Sequence, residues 1–303
     1  MEALLHALLA LTPPPATTLH AWWETTAEER ARWPYTIERA LVGGVLADRL
    51  GFAFASGYAE ALRALAPTHA HGITALCATE EGGNHPKAIQ TRLEPAGEGR
   101  YRLTGKKKWA TVATEASALL VVASTGEEGG KNRLRVVRVA ANAPGVTLVP
   151  SASPFVPEIP HAEVELHAVL IAEADLLPGD GYDDYLKPFR TVEDLHVHAA
   201  LVGYLIGVAR RHNLDKSVIE PLIALATTVH ALAHANPKSP ATHVALAGVI
   251  ALAARAVEAV EHAWGVADDE HARWHRDRAL LRVAGAARAA RREKAWESLA
   301  SRS

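Results

Sequence analysis

The spacing of apolar residues changes character twice along the chain. Up to about residue 71 they recur at helical intervals, as in Ile37, Leu41, Val45 and Leu46, and predict three or four helices. Thr25-Thr26-Ala27-Glu28 supplies a helix start with an acid in its first turn, and Pro13-Pro14-Pro15 sets off a short first helix. From Gly72 the pattern turns to short β-type runs separated by turn signals. Strands are predicted over 73–78, 99–103, 118–124, 134–139 and 164–169, with a hairpin loop at 126–131. About 100 residues of evenly spaced short strands predict a small antiparallel barrel or sandwich. Helical spacing then returns over 192–211, 217–235, 241–265 and 269–299, and four helices with short loops predict a bundle.

The expected architecture is therefore mostly α with a β-barrel middle domain. A helical segment (1–71) precedes the small antiparallel β-barrel (72–180), and a C-terminal four-helix bundle (181–303) follows. Composition narrows the function classes. Apolar residues make up 49% of the 303 residues, enough for a large core, and the net charge is −2. That balance gives no general pull toward nucleic acid or anionic membrane, and neither is expected as a partner. A single cysteine, Cys77, excludes an internal disulfide framework and cysteine-based metal or iron–sulfur sites. The N-terminus is apolar but opens on Met1-Glu2 rather than a basic segment, and no uncharged apolar run reaches membrane-spanning length. A cytoplasmic protein is the expectation.

Candidate chemistry concentrates in three stretches. One reads Cys77-Ala-Thr-Glu-Glu-Gly-Gly-Asn84, then Ile89-Gln-Thr91, then Gly105-Lys-Lys-Lys-Trp109-Ala-Thr111. A second is Arg190-Thr-Val-Glu-Asp194, followed by Ala199-Ala200 and Gly203, and a third is Arg276-Asp277. Together they resemble the acyl-CoA dehydrogenase family, best over about residues 72–210. The resemblance implies that family's fold, FAD as cofactor, an acyl-CoA or similar substrate and α,β-dehydrogenation of an acyl thioester. It also implies electron transfer to an electron-transfer flavoprotein and assembly as a homodimer or homotetramer. The backbone at Leu76, Ala78 and Thr79, with Trp109 and Thr111, would hold the flavin. Trp109 can cover a flat ring face, and threonine hydroxyls can bond ring heteroatoms.

The family pattern is incomplete here. The Gly-rich turn lacks its usual serine, so Asn84 and His85 are the replacement phosphate donors. No Arg-x-x-Phe-Gly follows Arg211, and no carboxylate lies between Asp277 and Glu293 where the family places its base. Some members carry the base on the first bundle helix, which makes Asp194 and its neighbour Glu193 the candidate catalytic carboxylates. Two alternatives stay open: a degenerate member acting as a binding or structural protein, and a flavin monooxygenase on the same scaffold.

Other constellations carry less. His230/His234 and His271/His275 have helical i, i+4 spacing but no third ligand, and no metal site is expected. Lys106-Lys107-Lys108 and the basic run from Arg288 to Lys294 are expected to be solvated surface.

Overall fold

The computed structural model describes residues 1–83, 85–265 and 268–301. Its described residues divide into two compact units, one formed by 1–61 with 191–303 and the other by 62–190. The boundaries fall inside two long helices, α5 and α6 below.

The first unit is helical. It contains α1 (Glu2–Ala10), α2 (Leu19–Thr25), α3 (Ala27–Ala31), α4 (Thr36–Val45), most of α5 (Leu50–Leu65) and most of α6 (Lys187–Arg211). α7 (Lys216–Leu232), α8 (Pro240–Ala263), α9 (Asp269–Asp277) and α10 (Gly285–Ala300) complete it. The helix predicted over 269–299 is interrupted by a 3-10 turn at Arg278–Arg282. α6 is the central helix, with Ala199, Ala200, Val202, Tyr204, Leu205 and Ile206 buried. Glycines let it touch its neighbours backbone to backbone. A Cβ on Gly203 would stand 2.1 Å from the Leu41 carbonyl oxygen, and one on Gly44 would stand 2.0 Å from that of Ala200. The Ala-Ala and Gly203 positions of α6 are thus packing positions.

The aromatic part of this core gathers around Arg30. Its guanidinium lies 3.8 Å from the Trp23 ring centroid, and Trp22 stacks on Phe52 at 5.6 Å.

The second unit is a curled seven-stranded sheet. Its strands are β1 (Thr74–Cys77), β2 (Arg92–Gly97), β3 (Arg100–Thr111), β4 (Ala118–Glu128), β5 (Lys131–Ala140), β6 (Val146–Ser151) and β7 (His161–Ala172). β5 runs antiparallel along one edge of β4. β1 and β2 follow each other along the other edge, both parallel to β4. The order then continues β2-β3-β7-β6 with antiparallel pairs. The sheet is therefore mixed rather than wholly antiparallel, and β2 and β6 are strands that the sequence pattern does not single out. β2 has a single buried residue and β6 none, so neither shows a clear buried alternation. Leu103, Leu119, Val121, Val136, Val164 and Leu166 are among the buried side chains of the unit.

Among the described residues, two helices are long and apolar enough to cross a membrane by length and composition: 181–211, which is 83% buried over its most apolar window, and α8, which is 22% buried there. The first is a core helix. α8 keeps an apolar face uncovered within the chain.

Candidate flavin-type site and its ion-pair lock

The motif residues of the second unit converge where β1, β3 and the turn after β1 meet. Glu80 closes that turn by pairing with Gly83, with N–H to carbonyl distances of 3.0 and 2.9 Å. Its carboxylate is buried and fully engaged. Oε1 accepts from the Thr91 hydroxyl at 2.8 Å, the Thr91 amide at 3.0 Å and the Lys107 ammonium at 2.6 Å, while Oε2 accepts from the Gln90 amide at 2.8 Å. Burial alone would raise the Glu80 carboxyl, but Lys107 and the two amides outweigh it and hold it below the ordinary carboxylate range.

Lys107 is wholly buried. Successive strand residues face opposite sides, so the middle lysine of 106–108 must point away from its two neighbours. Lys106 pairs outward with Glu163 and Glu165, each at 2.9 Å, and Lys108 reaches Glu81 at 3.4 Å. The expectation of a uniformly solvated basic run is corrected here: strand alternation sends its middle member inward. Gly105 completes the arrangement. At φ +156°, it brings β3 so close to Thr91 that a Cβ would lie 2.4 Å from Oγ1.

Directly after this lock, β3 bulges. Lys107 pairs with Val164 and Ala110 with Ala162, so β3 carries one extra residue there. Trp109 sits in the bulge at φ +60° and Val112 follows at φ +56°. Both are costly for side chains with a Cβ, and such strain clusters at functional sites. The result is an indole that is 65% exposed. Thr111, partly exposed, lies between the two strained residues. Within the bulged stretch of β3, the Lys108 amide donates to the carbonyl of Thr79, in the turn after β1, at 2.9 Å, tying Thr79 to the bulge. Leu76 and Ala78 are buried in the strand end that precedes it, and Thr79 is partly exposed. Leu76, Ala78, Thr79, Trp109 and Thr111 thus belong to one corner of the second unit.

Among the phosphate-donor candidates, Asn84 lies outside the described residues. His85 is exposed and caps a short turn by accepting from the Lys87 amide on Nδ1 at 3.3 Å. That contact leaves Nε2–H as its donor. Cys77 is buried, and burial pushes its thiol up to about 12.

In the first unit, Asp194 on α6 is buried. Its Oδ1 accepts from Arg288 Nε at 2.8 Å and its Oδ2 from Arg291, both on α10. Neither arginine is simply solvated, which corrects the expectation for that basic run. Their spacing of three places both on one face of α10. Glu193 is partly exposed. The carbonyl of Asp194 receives His198 Nδ1 at 2.6 Å. His196 sits between the Val192 carbonyl on Nδ1, 2.8 Å, and the Thr36 hydroxyl on Nε2, 2.9 Å. Burial lowers both histidines to about 4, so they are neutral at physiological pH. The two i, i+4 histidine pairs serve other contacts: His230 Nε2 meets Glu38 at 3.1 Å, and His271 meets His275 at 3.0 Å.

Glu80, Thr91 and Gly105 stand in the motif with no role that the sequence pattern assigns, and Lys107 stands there as an expected surface lysine. The available signal was the lysine triplet itself, since a strand cannot expose three consecutive side chains on one face.

Residues 75–169 match the family model described as the acyl-CoA dehydrogenase, middle domain. Solved structures with the same fold include PigA with FAD and proline, 16% identical, TM-score 0.70, covering 100% of this chain and 97% of that one. They also include the prolyl acyl carrier protein oxidase AnaB, 15% identical, TM-score 0.67, covering 93% and 92% of the two chains. Butyryl-CoA dehydrogenase from Megasphaera elsdenii is 15% identical with a TM-score of 0.69, covering 97% and 89%. No curated protein matches the chain. Residues 75–169 thus match that family's middle domain, and the described residues adopt an acyl-CoA dehydrogenase-like fold.

Proposed function

We propose that the protein is an FAD-dependent oxidoreductase acting on an acyl thioester, by α,β-dehydrogenation. The observation that carries this reading is Trp109, held exposed on a strained bulge inside a matched middle domain. A core tryptophan would be buried, and a surface one would not need an unfavourable backbone. The residues around it suit a flavin. The indole offers a flat apolar face, the Thr79 and Thr111 hydroxyls offer donors, and the strand backbone at Leu76 and Ala78 offers an edge. His85 Nε2–H, with Asn84, is the candidate for the phosphates. Several structural neighbours are flavin complexes, which supports the same cofactor.

When bound, FAD supplies the hydride acceptor. The chain must then supply a base for the proton on the carbon next to the thioester. Of the two carboxylates on α6, we assign that role to Glu193, which is partly exposed where Asp194 is buried between two guanidinium groups. Asp194 then anchors the base helix. An electron-transfer flavoprotein is the proposed electron acceptor. A homodimer or homotetramer is the proposed assembly, with a second copy covering the apolar face of α8.

The test is a visible spectrum of the purified protein after incubation with FAD and gel filtration, followed by anaerobic titration with acyl thioesters. Retained flavin that bleaches with a thioester is expected, and Glu193→Gln should retain flavin but lose bleaching. No retained flavin in a folded protein would favour a non-catalytic scaffold. That second reading draws on the absence of any carboxylate between Asp277 and Glu293. Retained flavin that no thioester bleaches, but that reacts with oxygen after chemical reduction, would favour a monooxygenase.

A further inference from the structure

A buried ion pair is a weak device for stability. Desolvation of both ions consumes most of their attraction, and an apolar pair of similar shape often serves as well or better. The Glu80–Lys107 pair therefore calls for another reason, and its position supplies one. Glu80 immediately follows Thr79, and Lys107 is the last residue of β3 before the bulge that carries Trp109. The Lys108 amide, one residue on, bonds the Thr79 carbonyl. The pair thus fastens together the two pieces of chain that present Thr79 and Trp109.

A second pin lies two residues upstream. Gly105 contacts Thr91 so closely that no other residue type fits, and Thr91 donates twice to the same Glu80 oxygen as Lys107. A one-residue slip of β3 would place Thr104 or Lys106 against Thr91 and would turn Trp109 to the opposite face. With lysines at 106, 107 and 108, charge alone does not choose the inward one. The Gly105–Thr91 approach makes that choice, and the ion pair holds it.

We propose that the buried Glu80–Lys107 pair, pinned by Thr91 and Gly105, is a positioning device that fixes the register of β3 and so the outward presentation of Trp109. The inference rests on the flavin reading only for its consequence in cofactor affinity. The register itself is independent of it.

The test uses the full chain labelled with 5-fluorotryptophan, in which Trp109→Phe assigns the Trp109 fluorine resonance. Glu80→Gln, Lys107→Met and the double variant are compared with wild type for thermal unfolding, the Trp109 resonance and FAD affinity. In the double variant no charge is left unpaired, so it is expected to fold. Its Trp109 line should shift or split, and FAD should bind at least 10-fold more weakly. A folded double variant with an unchanged Trp109 line and FAD affinity within twofold of wild type would overturn the proposal. If wild type binds no FAD, the flavin reading fails, while the fluorine line still decides the positioning role. If none of the three variants folds, Thr91→Val keeps the ion pair and removes one hydrogen bond. A perturbed Trp109 line is expected there as well, and an unperturbed one overturns the proposal.

Discussion

Two buried carboxylates, Glu80 and Asp194, are both held by cations, and they do different work. Glu80 ties a turn to a strand inside the second unit, beside strained backbone and an exposed indole. Asp194 ties α6 to α10 in the helical unit, amid well-packed helices and two neutral histidines. Chemistry alone does not separate them, since each is an acceptor with all its oxygens used. The neighbours do. Strain and an exposed aromatic next to Glu80 mark the corner proposed as the cofactor site, while close helix packing around Asp194 suits an anchor.

The largest expected effect tests how deeply the Glu80 pair is committed. Lys107→Met alone leaves a buried carboxylate without its cation, and should cost about 3–5 kcal/mol in urea unfolding. A cost under about 1 kcal/mol would mean that water reaches Glu80. The parallel change in the helical unit, Asp194→Asn, should cost less, about 2 kcal/mol. Its arginines keep 16–18% of their side-chain surface in water and can rehydrate. Glu193→Gln, isosteric and partly exposed, should cost less than Asp194→Asn. Equal costs for Asp194→Asn and Glu193→Gln would remove the distinction drawn between anchor and base.

These contrasts also show which features the sequence carried. The order helices, sheet, helices was legible because hydrophobic period changes at Gly72 and again before α6. The corner around Trp109 was legible through its motif. The lock was not assigned, because Glu80 and Lys107 lie 27 residues apart and only strand alternation brings them face to face. The arginines on Asp194 are 94 and 97 residues away from it. In the sequence they read as a basic run, since nothing local marks which members turn inward. β2 and β6 do not stand out in the sequence because, with one buried residue between them, they lack the alternation that reveals half-buried strands.

The helical unit differs from the sheet in its response to acid. His196 and His198 are held near 4 by burial, against an ordinary 6.5. Between these values the unfolded chain binds protons that the folded one does not. Stability is therefore fully present above pH 6.5 and falls as pH drops toward 4, by at most about 1.4 kcal/mol per pH unit for each histidine. Glu80 is also shifted below its ordinary value, but because its charged form is the favoured one, and its contribution is lost only at lower pH, as the folded-state carboxyl protonates. Urea unfolding at pH 7 and 5.5 should show the loss in wild type and about half of it in His198→Gln. An unchanged loss in that variant would place the acid sensitivity elsewhere.

The smallest expected effect bears hardest on the comparison. Trp109→Gly removes a side chain that covers little of the core and relieves a left-handed backbone that costs about 1 kcal/mol or more. Glycine also gains freedom in the unfolded chain, which offsets most of that relief. The net change in stability should stay within about 0.5 kcal/mol, measured by the same unfolding assay. A large loss would make Trp109 a packing residue that the bulge merely accommodates. A change near zero would mean that the fold maintains a strained, exposed tryptophan from which it draws no stability. Paired with a loss of FAD retention in the same variant, that result would tie the strain to the cofactor rather than to the fold.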